Sequence, residues 1–388
     1  MLTCQKQLFS LPEGITYLNC AYMAPLPKAV EAAGHTGVTA KSRPFEIIPP
    51  DFFSGVERLK KLYAKLIHAG DFERIAIIPS VSFGMANVVR NVKLSPGQNI
   101  VTVGEVFPSN YYCWQRAAAE NGATVRMVKA PETPEGRGAV WNEQLLEAID
   151  RQTTVVSLPH VHWADGTLFD LAAVRQRSRE VGALLVVDGT QSVGALPFDV
   201  RELQPDALIC GGYKWMLGPY GTGMAYYGEY FDDGVPVEEN WMHRLNSEDF
   251  QGLVNYQPAY KPKAHRYSVG ESSQFIHVPM MTAALELLLG WGVENIQQYC
   301  RQRSSPCLEE LKSYGCHVED AEHRAGHLFG VRLPAGVDLE TLNEAVSAAN
   351  IFVSIRGSSV RIAPHLYNDN RDFERLLDIF REVVGKES

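Results

Sequence analysis

Three absences limit what this protein can be: it lacks paired cysteines, basic clusters and long apolar runs. Its seven cysteines are scattered without a Cys-x-x-Cys pair, which is typical of free thiols in a reducing compartment. The formal net charge is −9 and no basic patch stands out, so we expect no binding to nucleic acid or to an anionic membrane. No apolar stretch approaches the roughly 18 residues of a membrane span, and the first residues do not form a secretory signal. We therefore expect a cytoplasmic protein whose partners are small molecules and copies of itself.

Short apolar strands alternate with helical patterns along most of the 388 residues, which predicts an α/β fold. This length suits a large domain with a smaller one. We predict an N-terminal arm over residues 1–27, a large domain over 28–290 and a small α+β domain over 291–388. A Rossmann-type oxidoreductase would show the same alternation, but no Gly-x-Gly-x-x-Gly follows the early strands.

Two predicted strands deliver an acid and an amine to what should be one edge of a sheet. The apolar run from Leu184 to Val187 ends on Asp188, and the run from Ala207 to Cys210 is followed by two glycines, Tyr213 and Lys214. Ligands of open α/β sheets bind at the carboxyl ends of the strands. Aromatic and apolar neighbours should desolvate Lys214, lower its pKa and make it a nucleophile toward an aldehyde. An ordinary surface-loop lysine is the alternative.

The segment Asp188-Gly189-Thr190-Gln191, followed by Lys214 and by Gly218-Pro219-Tyr220-Gly221, resembles the class V aminotransferase group of fold type I pyridoxal-phosphate enzymes. That group includes cysteine desulfurases, kynureninases and isopenicillin N epimerase-like proteins. The resemblance implies pyridoxal 5'-phosphate as cofactor. It also implies a large domain built on a mixed, mostly parallel seven-stranded sheet flanked by helices, with a small C-terminal α+β domain.

The resemblance also implies roles for single residues. Lys214 would hold the cofactor aldehyde as a Schiff base and move the substrate proton, and Asp188 would keep the pyridine nitrogen protonated. Gln191 would bond the phenolic oxygen and Phe107 would cover the ring. The other cofactor-binding residues that it implies are Ser80, Val81, Ser82, Asp165, Tyr213 and Ser272. Ser80 could instead be only a helix N-cap, and Ser272 is expected to reach the partner's phosphate in a homodimer.

A C-terminal segment, from Val360-Arg361-Ile362-Ala363-Pro364 to His365-Leu366-Tyr367-Asn368, resembles the family's substrate anchor. Arg361 would bind the α-carboxylate of an amino acid, because a guanidinium meets both oxygens at once. Asn19, Tyr22 and His162 are also expected to line the substrate site. His160 and His162 lack a third ligand at a suitable spacing, so we expect no metal. Which of His162, Trp163 and Asp165 touches the cofactor is left open.

The expected reaction is class V amino transfer at Cα of an α-amino acid. Desulfurases carry a nucleophilic cysteine on a loop that corresponds here to Arg356-Gly357-Ser358-Ser359, which has none. A C–S or selenocysteine lyase that needs no cysteine, and an amino-acid epimerase, remain alternatives. A catalytically silent binding protein would have lost Lys214 or Asp188, and both are present. The substrate and any keto-acid acceptor are left open.

Overall fold

A computed structural model describes residues 2–133 and 135–385. The outermost residues of the predicted arm and small domain, 1 and 386–388, lie outside this part. The strands are β1 (Thr16–Tyr17), β2 (Ile75–Ile78), β3 (Asn99–Val103), β4 (Thr124–Val128), β5 (Thr153–Pro159), β6 (Leu184–Asp188), β7 (Ala207–Gly211), β8 (Gly223–Tyr227), β9 (His317–Val318), β10 (Phe329–Arg332), β11 (Ile351–Phe352), β12 (Ser354–Arg356) and β13 (Ser359–Ile362). The helices are α1 (Lys28–Lys41), α2 (Asp51–Leu66), α3 (Val81–Asn91), α4 (Pro108–Asn121), α5 (Arg137–Ala148), α6 (Leu171–Val181), α7 (Val200–Leu203), α8 (His277–Trp291), α9 (Val293–Ser313), α10 (Leu339–Ala348) and α11 (Asn370–Val384).

Seven strands form one sheet in the order β2-β8-β7-β6-β5-β3-β4. Strand β8 is antiparallel to both β2 and β7, and the other neighbouring pairs are parallel. Both faces are covered: in β2, Ile75 and Ile77 belong to one apolar cluster while Ala76 and Ile78 belong to another. Strands buried on both faces need continuous apolar sequence, which is the pattern they show. The predicted mixed, mostly parallel α/β fold is therefore confirmed.

A second, antiparallel sheet of four strands, in the order β12-β13-β10-β9, lies in the C-terminal part. Its own apolar cluster takes residues from α9, α10 and α11. The N-terminal arm joins this part, because β1 pairs in parallel with β11 and Asn19 bridges to Ala363. The sequence itself fixes where the last helix, α11, begins, because Asp369 and Asp372 form a capping box at its start. The domain boundaries themselves stay a prediction.

Strand register brings three chain segments to one edge of the large sheet. Gly223, at the start of β8, pairs with Ile78 at the end of β2 and with Gly211 at the end of β7. Asp188, at the end of β6, pairs with Ile209 of β7. The residues that follow β2, β6 and β7 therefore meet at this edge. None of the described helices is long and apolar enough to cross a membrane.

Candidate active site

A cavity of about 300 Å³ lies at the carboxyl edge of the large sheet. Its lining residues are Pro79, Ser80, Val81, Ser82, Phe107, Ser109, Trp163, Asp188, Thr190, Gln191, Gly211, Tyr213, Lys214, Tyr220, Gly221 and Thr222. Eight of the site residues expected from the sequence are among them, and these eight come from four separate segments. A larger groove of about 780 Å³ along α6 shares no lining residue with this cavity, and it holds neither the lysine nor the acid.

Lys214 lies in this cavity with 7% of its surface exposed. Burial lowers its pKa to about 8, because the charged ammonium loses its hydration. The Asp188 carboxylate opposes this shift, and the charges of Arg361 and Arg356 add to it. Its Nζ atom lies 5.7 Å from the ring centre of Phe107 and 5.4 Å from that of Tyr213. The amine is thus held among rings, close to one carboxylate.

Asp188 is fixed by hydrogen bonds on both carboxylate oxygens. Asn110 Nδ2 donates to Oδ2 at 2.5 Å, and the backbone N–H of Thr190 donates to Oδ1 at 2.8 Å. Asn110 was not expected from the sequence. Only its position in the chain could have indicated this role: it lies in the first turn of α4, which follows β3 at the same edge of the sheet. These donors leave the carboxylate oriented toward the cavity that it lines.

The N-terminus of α3 forms another wall. Ser80 caps this helix, its Oγ accepting a hydrogen bond from the N–H of Phe83 at 3.2 Å, and it lies 2.9 Å from Ser82 Oγ. Ser80 therefore is an N-cap and also lines the cavity with Val81 and Ser82. Free backbone N–H groups at a helix start attract anions. This wall can hold a phosphate group.

The backbone of the N-terminal arm is hydrogen-bonded to the segments that follow β6 and β7. Gln191 donates from Nε2 to the carbonyl of Ala21 at 3.1 Å and accepts from Trp215 Nε1 at 2.8 Å. The N–H of Ala24 donates to the carbonyl of Tyr213 at 3.0 Å. These bonds hold the arm, which carries Asn19 and the exposed Tyr22, alongside the site. Neither Asn19 nor Tyr22 lines the cavity.

The turn after β5 sends only Trp163 to the cavity. Both His162 nitrogens are engaged inside the protein, Nδ1 at 3.0 Å from Asp165 Oδ1 and Nε2 at 3.2 Å from the carbonyl of Glu105. The Asp165 carboxylate faces Arg137 and Arg332, each with a nitrogen at 3.3 Å, and its pKa is held well below its usual range because His162 and Arg137 offset the cost of burial. The structure therefore brings neither His162 nor Asp165 to the cavity.

Arg361 is a buried cation, 1% exposed, that pairs with no carboxylate in the described part of the chain. Its Nη1 donates to the carbonyl of Trp163 at 2.8 Å, and its Nη2 makes long contacts with Ser354 Oγ at 3.4 Å and Asn19 Oδ1 at 3.5 Å. Nε has no partner. Burial, with the charge of Arg356, lowers the pKa of Arg361 to about 9. A buried guanidinium without a counter-charge is suited to receive an anion.

Ser272 lies elsewhere in the chain. It is buried, its Oγ points to Met242 Sδ at 3.8 Å, and it lines a different, small cavity. No group of three or more histidine, cysteine, aspartate or glutamate side chains in the described ranges could hold a metal ion.

Comparisons with known proteins give one family and one fold. Residues 48–373 match the family model described as aminotransferase class V. An uncharacterized aminotransferase of Bacillus subtilis is 28% identical over 330 residues, which cover 84% of this chain and 82% of that protein. Isopenicillin N epimerase of Amycolatopsis lactamdurans is 25% identical, covering 97% of each chain.

Solved structures share the fold at low identity. A C-DES mutant with glycine covalently linked to its pyridoxal-phosphate cofactor superposes with a TM-score of 0.86 at 20% identity, covering 97% of this chain and 98% of that one. A cysteine desulfurase of Thermococcus onnurineus gives a TM-score of 0.84 at 20% identity, covering 100% and 99%.

Proposed function

Because the chain belongs to the aminotransferase class V family, whose cofactor is pyridoxal phosphate, we propose that it transfers the amino group of an α-amino acid to a keto acid. The family resemblance, the pyridoxal-phosphate cofactor and the general enzyme class expected from the sequence are confirmed. The observation that carries the proposal is the pairing of Lys214 and Asp188 in one cavity, where the buried amine has a pKa of about 8.

The residues around the cavity fit the cofactor. Its volume of about 300 Å³ lies at the lower end of the range for small-molecule sites. We assign the α3 wall of Ser80, Val81 and Ser82 to the phosphate, because helix-start N–H groups and hydroxyls are anion donors. Asp188 would hold a proton at the pyridine nitrogen, and Gln191, through its second amide hydrogen, would donate to the phenolic oxygen. Phe107 and Tyr213, whose rings flank Lys214 Nζ, would enclose the ring.

Pyridoxal phosphate supplies, when bound, an aldehyde for the amine and a ring that accepts the electron pair left at Cα. Lys214 performs the protein's part in two ways. Its neutral amine would bind the aldehyde, and its Nζ, once released by the substrate, would take the proton from Cα and return it at a second position. A lysine pKa of about 8 suits both roles, since roughly a tenth of the amine is neutral at pH 7.

Substrate orientation is assigned to Arg361. Its unpaired guanidinium would receive the α-carboxylate. Asn19 would position Nη2 of this guanidinium, and Tyr22 would line the exposed side of the substrate site. A second anchor is needed because an amino acid held at one point rotates about its N–Cα bond. We assign His162 and Asp165 to hold the turn that carries Trp163, since their polar atoms are engaged away from the cavity.

The cysteines argue against the desulfurase reaction, which needs a nucleophilic thiol at the site. None lines the cavity, and burial raises the pKa of the nearby Cys20 to about 12, which keeps its thiol protonated. The name of the Bacillus subtilis relative also supports an aminotransferase. All seven thiols are unpaired, which supports our placing the protein in the cytoplasm.

We also assign the protein to a homodimer with both sites at the interface. A groove of about 580 Å³ is lined by Phe52, Trp241, Phe275 and Ile276, and it shares Gly221 with the active-site cavity. A partner seated there would cover apolar surface and close the cavity. The groove includes Ser273 and Gln274, the neighbours of Ser272, so this segment would contact the partner's phosphate site.

A screen of the twenty amino acids with a 2-keto-acid acceptor tests the proposal. We expect the purified protein to show the visible absorbance of bound cofactor and one amino acid to yield its keto acid. Release of ammonia or sulfide would instead indicate a lyase, and racemisation without keto acid an epimerase. An uncoloured, inactive protein would indicate a binding role.

Lys214→Ala should abolish both the visible absorbance and turnover while the protein stays folded, because the work of this residue is covalent. Covalent retention of cofactor after borohydride reduction of Lys214→Ala would show that another lysine is the anchor.

A further inference from the structure

A second, small cavity of about 70 Å³ lies between α2 and the long irregular segment that connects β8 with α8. It shares no lining residue with the active-site cavity. Its lining residues are Phe52, Phe53, Val56, Glu57, Lys60, Met242, His243, Glu248, Lys261, His265, Ser268 and Ser272. Basic and hydroxyl side chains meet here on an apolar floor.

Lys60 is the unusual member of this cavity. It is 2% exposed, and its Nζ lies 3.3 Å from Nδ1 of His265. No carboxylate in the described ranges forms an ion pair with it. An ammonium group carries three hydrogens, so one histidine leaves most of its donors unused. A buried cation without a counter-charge is expensive for a fold, and burial together with the charge of Lys261 lowers the pKa of Lys60 to about 7.

The neighbouring groups do not neutralise Lys60. The carboxylates at the rim are engaged elsewhere, Glu57 with Lys61 and Glu248 with Lys261 at 2.7 Å. His243 and His265 are neutral near pH 7, because burial and the charge of Lys60 lower their pKa values to about 3 and about 2. No carboxylate in the described ranges is hydrogen-bonded to Lys60, and the charges of Glu73 and Glu57 only partly offset the cost of burying it, so a bound anion would stabilise its protonated form.

Hydroxyl donors complete the lining. Ser268 Oγ accepts from the N–H of Ile77 at 3.1 Å, which leaves its hydrogen to be donated. Ser272 Oγ meets only a thioether sulfur at 3.8 Å, which is a weak acceptor.

We propose that this cavity is a binding site for one small monovalent anion of about the size of chloride, held by Lys60 Nζ and the Ser268 hydroxyl. One negative charge balances one ammonium, and a cavity of about 70 Å³ is far below the roughly 300 Å³ at which sites for larger small molecules begin. The anion bridges α2 to the 3-10 turn Trp241–His243 and the 3-10 helix Lys263–Tyr267. It therefore fastens the segment that continues to Ser273 and Gln274, and it does not depend on the proposed function.

Crystals of the holoenzyme grown in potassium bromide test the site directly. We expect an anomalous bromide peak within hydrogen-bonding distance of Lys60 Nζ. A map with bromide on the surface and only water beside Lys60 would overturn the proposal. This measurement uses the unaltered protein, so it does not depend on how any variant folds.

Thermal melting of the holoenzyme in potassium chloride, against potassium gluconate at equal ionic strength, gives a second test. Gluconate is too large for the cavity. The wild type and Lys65→Met, which removes an exposed lysine of α2 that does not line the cavity, should gain about 1 to 2 °C at a roughly tenfold excess of chloride over its Kd. Lys60→Met should lose that gain. An equal chloride response in all three proteins would contradict the proposal.

Discussion

Lys214 is the residue at which burial changes reactivity most directly. Its pKa of about 8 means that roughly a tenth of these amines are neutral at pH 7, against fewer than about one in a thousand for an exposed lysine. Burial therefore raises the fraction of neutral, nucleophilic amine at pH 7. The same burial destabilises the protein before cofactor binds, because the protonated amine is held away from water.

Replacing this amine should stabilise the protein without cofactor. An unfolded lysine holds its proton up to about pH 10.5 and the folded Lys214 only to about pH 8, so stability rises with pH between these values. Lys214→Met should raise the unfolding free energy at pH 7 by about 2 to 3 kcal/mol, and the gain should shrink toward pH 10.5. Urea denaturation of the apoprotein at pH 7, 9 and 10.5 measures it. Lys65→Met, at an exposed lysine, is the control. A gain that did not vary with pH would contradict the role of the charge.

Arg361 allows a test of substrate class at a single position. Arg361→Lys keeps the charge but loses the planar fork, so KM for the amino acid should rise roughly tenfold or more, as expected for a lost contact of about 1.5 to 3 kcal/mol. The cofactor absorbance should not change. Steady-state kinetics of Arg361→Lys beside Arg356→Lys separate the two candidates. If only Arg356→Lys raised KM, the anchor would be Arg356, and if neither did, the substrate would be an amine without an α-carboxylate.

At the scale of elements, the turn between β5 and α6 joins the two sheets. Asp165 accepts from Arg137 of α5 and from Arg332 of β10, and Arg361 of β13 donates to the carbonyl of Trp163. The turn is thus fixed from both sides, with Trp163 toward the cavity. Its conformation depends on one buried carboxylate.

Asp165→Asn should destabilise the fold strongly, because it leaves two partly or fully buried arginines without a counter-charge. We expect a loss of about 3 to 5 kcal/mol in urea denaturation at pH 7. Asp378→Asn, in an exposed pair with Arg381, should cost less than about 1 kcal/mol. Since the folded pKa of Asp165 is depressed, its contribution should be present above about pH 4 and fall as the pH drops further. Equal losses of unfolding free energy in the two variants would show that Asp165 does not stabilise the fold through its buried ion pairs.

Strand ends could be predicted from the sequence, but side-chain directions within turns could not. Asp188 and Lys214 were expected at one sheet edge because an apolar run followed by polar residues marks where a buried strand stops. Asp165 was expected at the cofactor only because its turn lies there, and its direction depends on Arg332, which is 167 residues away. The hydrogen bond from Asn110 to Asp188 likewise joins segments 78 residues apart, so no local pattern could predict it.

At the scale of the whole molecule, the chain closes on itself around the site. The arm pairs with β11 near the C-terminal end, and Asn19 lies between Ser354 and Arg361. The small sheet thereby places its arginine behind a cavity built on the large sheet. One side of that cavity stays open at Tyr220, which is 68% exposed.

The open side of the active-site cavity indicates where a second copy of the chain would bind. The apolar groove beside it shares Gly221 with the cavity, and its rim residues Trp241 and Ile276 are 37% and 36% exposed. Burying such a patch is the usual driving force for a dimer. Light scattering of the wild type should give about 86 kDa, twice the chain mass of 43.1 kDa.

Ile276→Asp should shift the protein toward the monomer mass and reduce turnover with it, because a charge in an apolar interface is costly to bury. Met127→Asp places the same charge on β4, at the opposite edge of the large sheet from β2, and should leave mass and activity unchanged. A fully active wild-type monomer would remove both the dimer and the contribution of the Ser272 segment. A dimer that survived Ile276→Asp would place the interface on another surface, and the open side of the cavity would then face solvent.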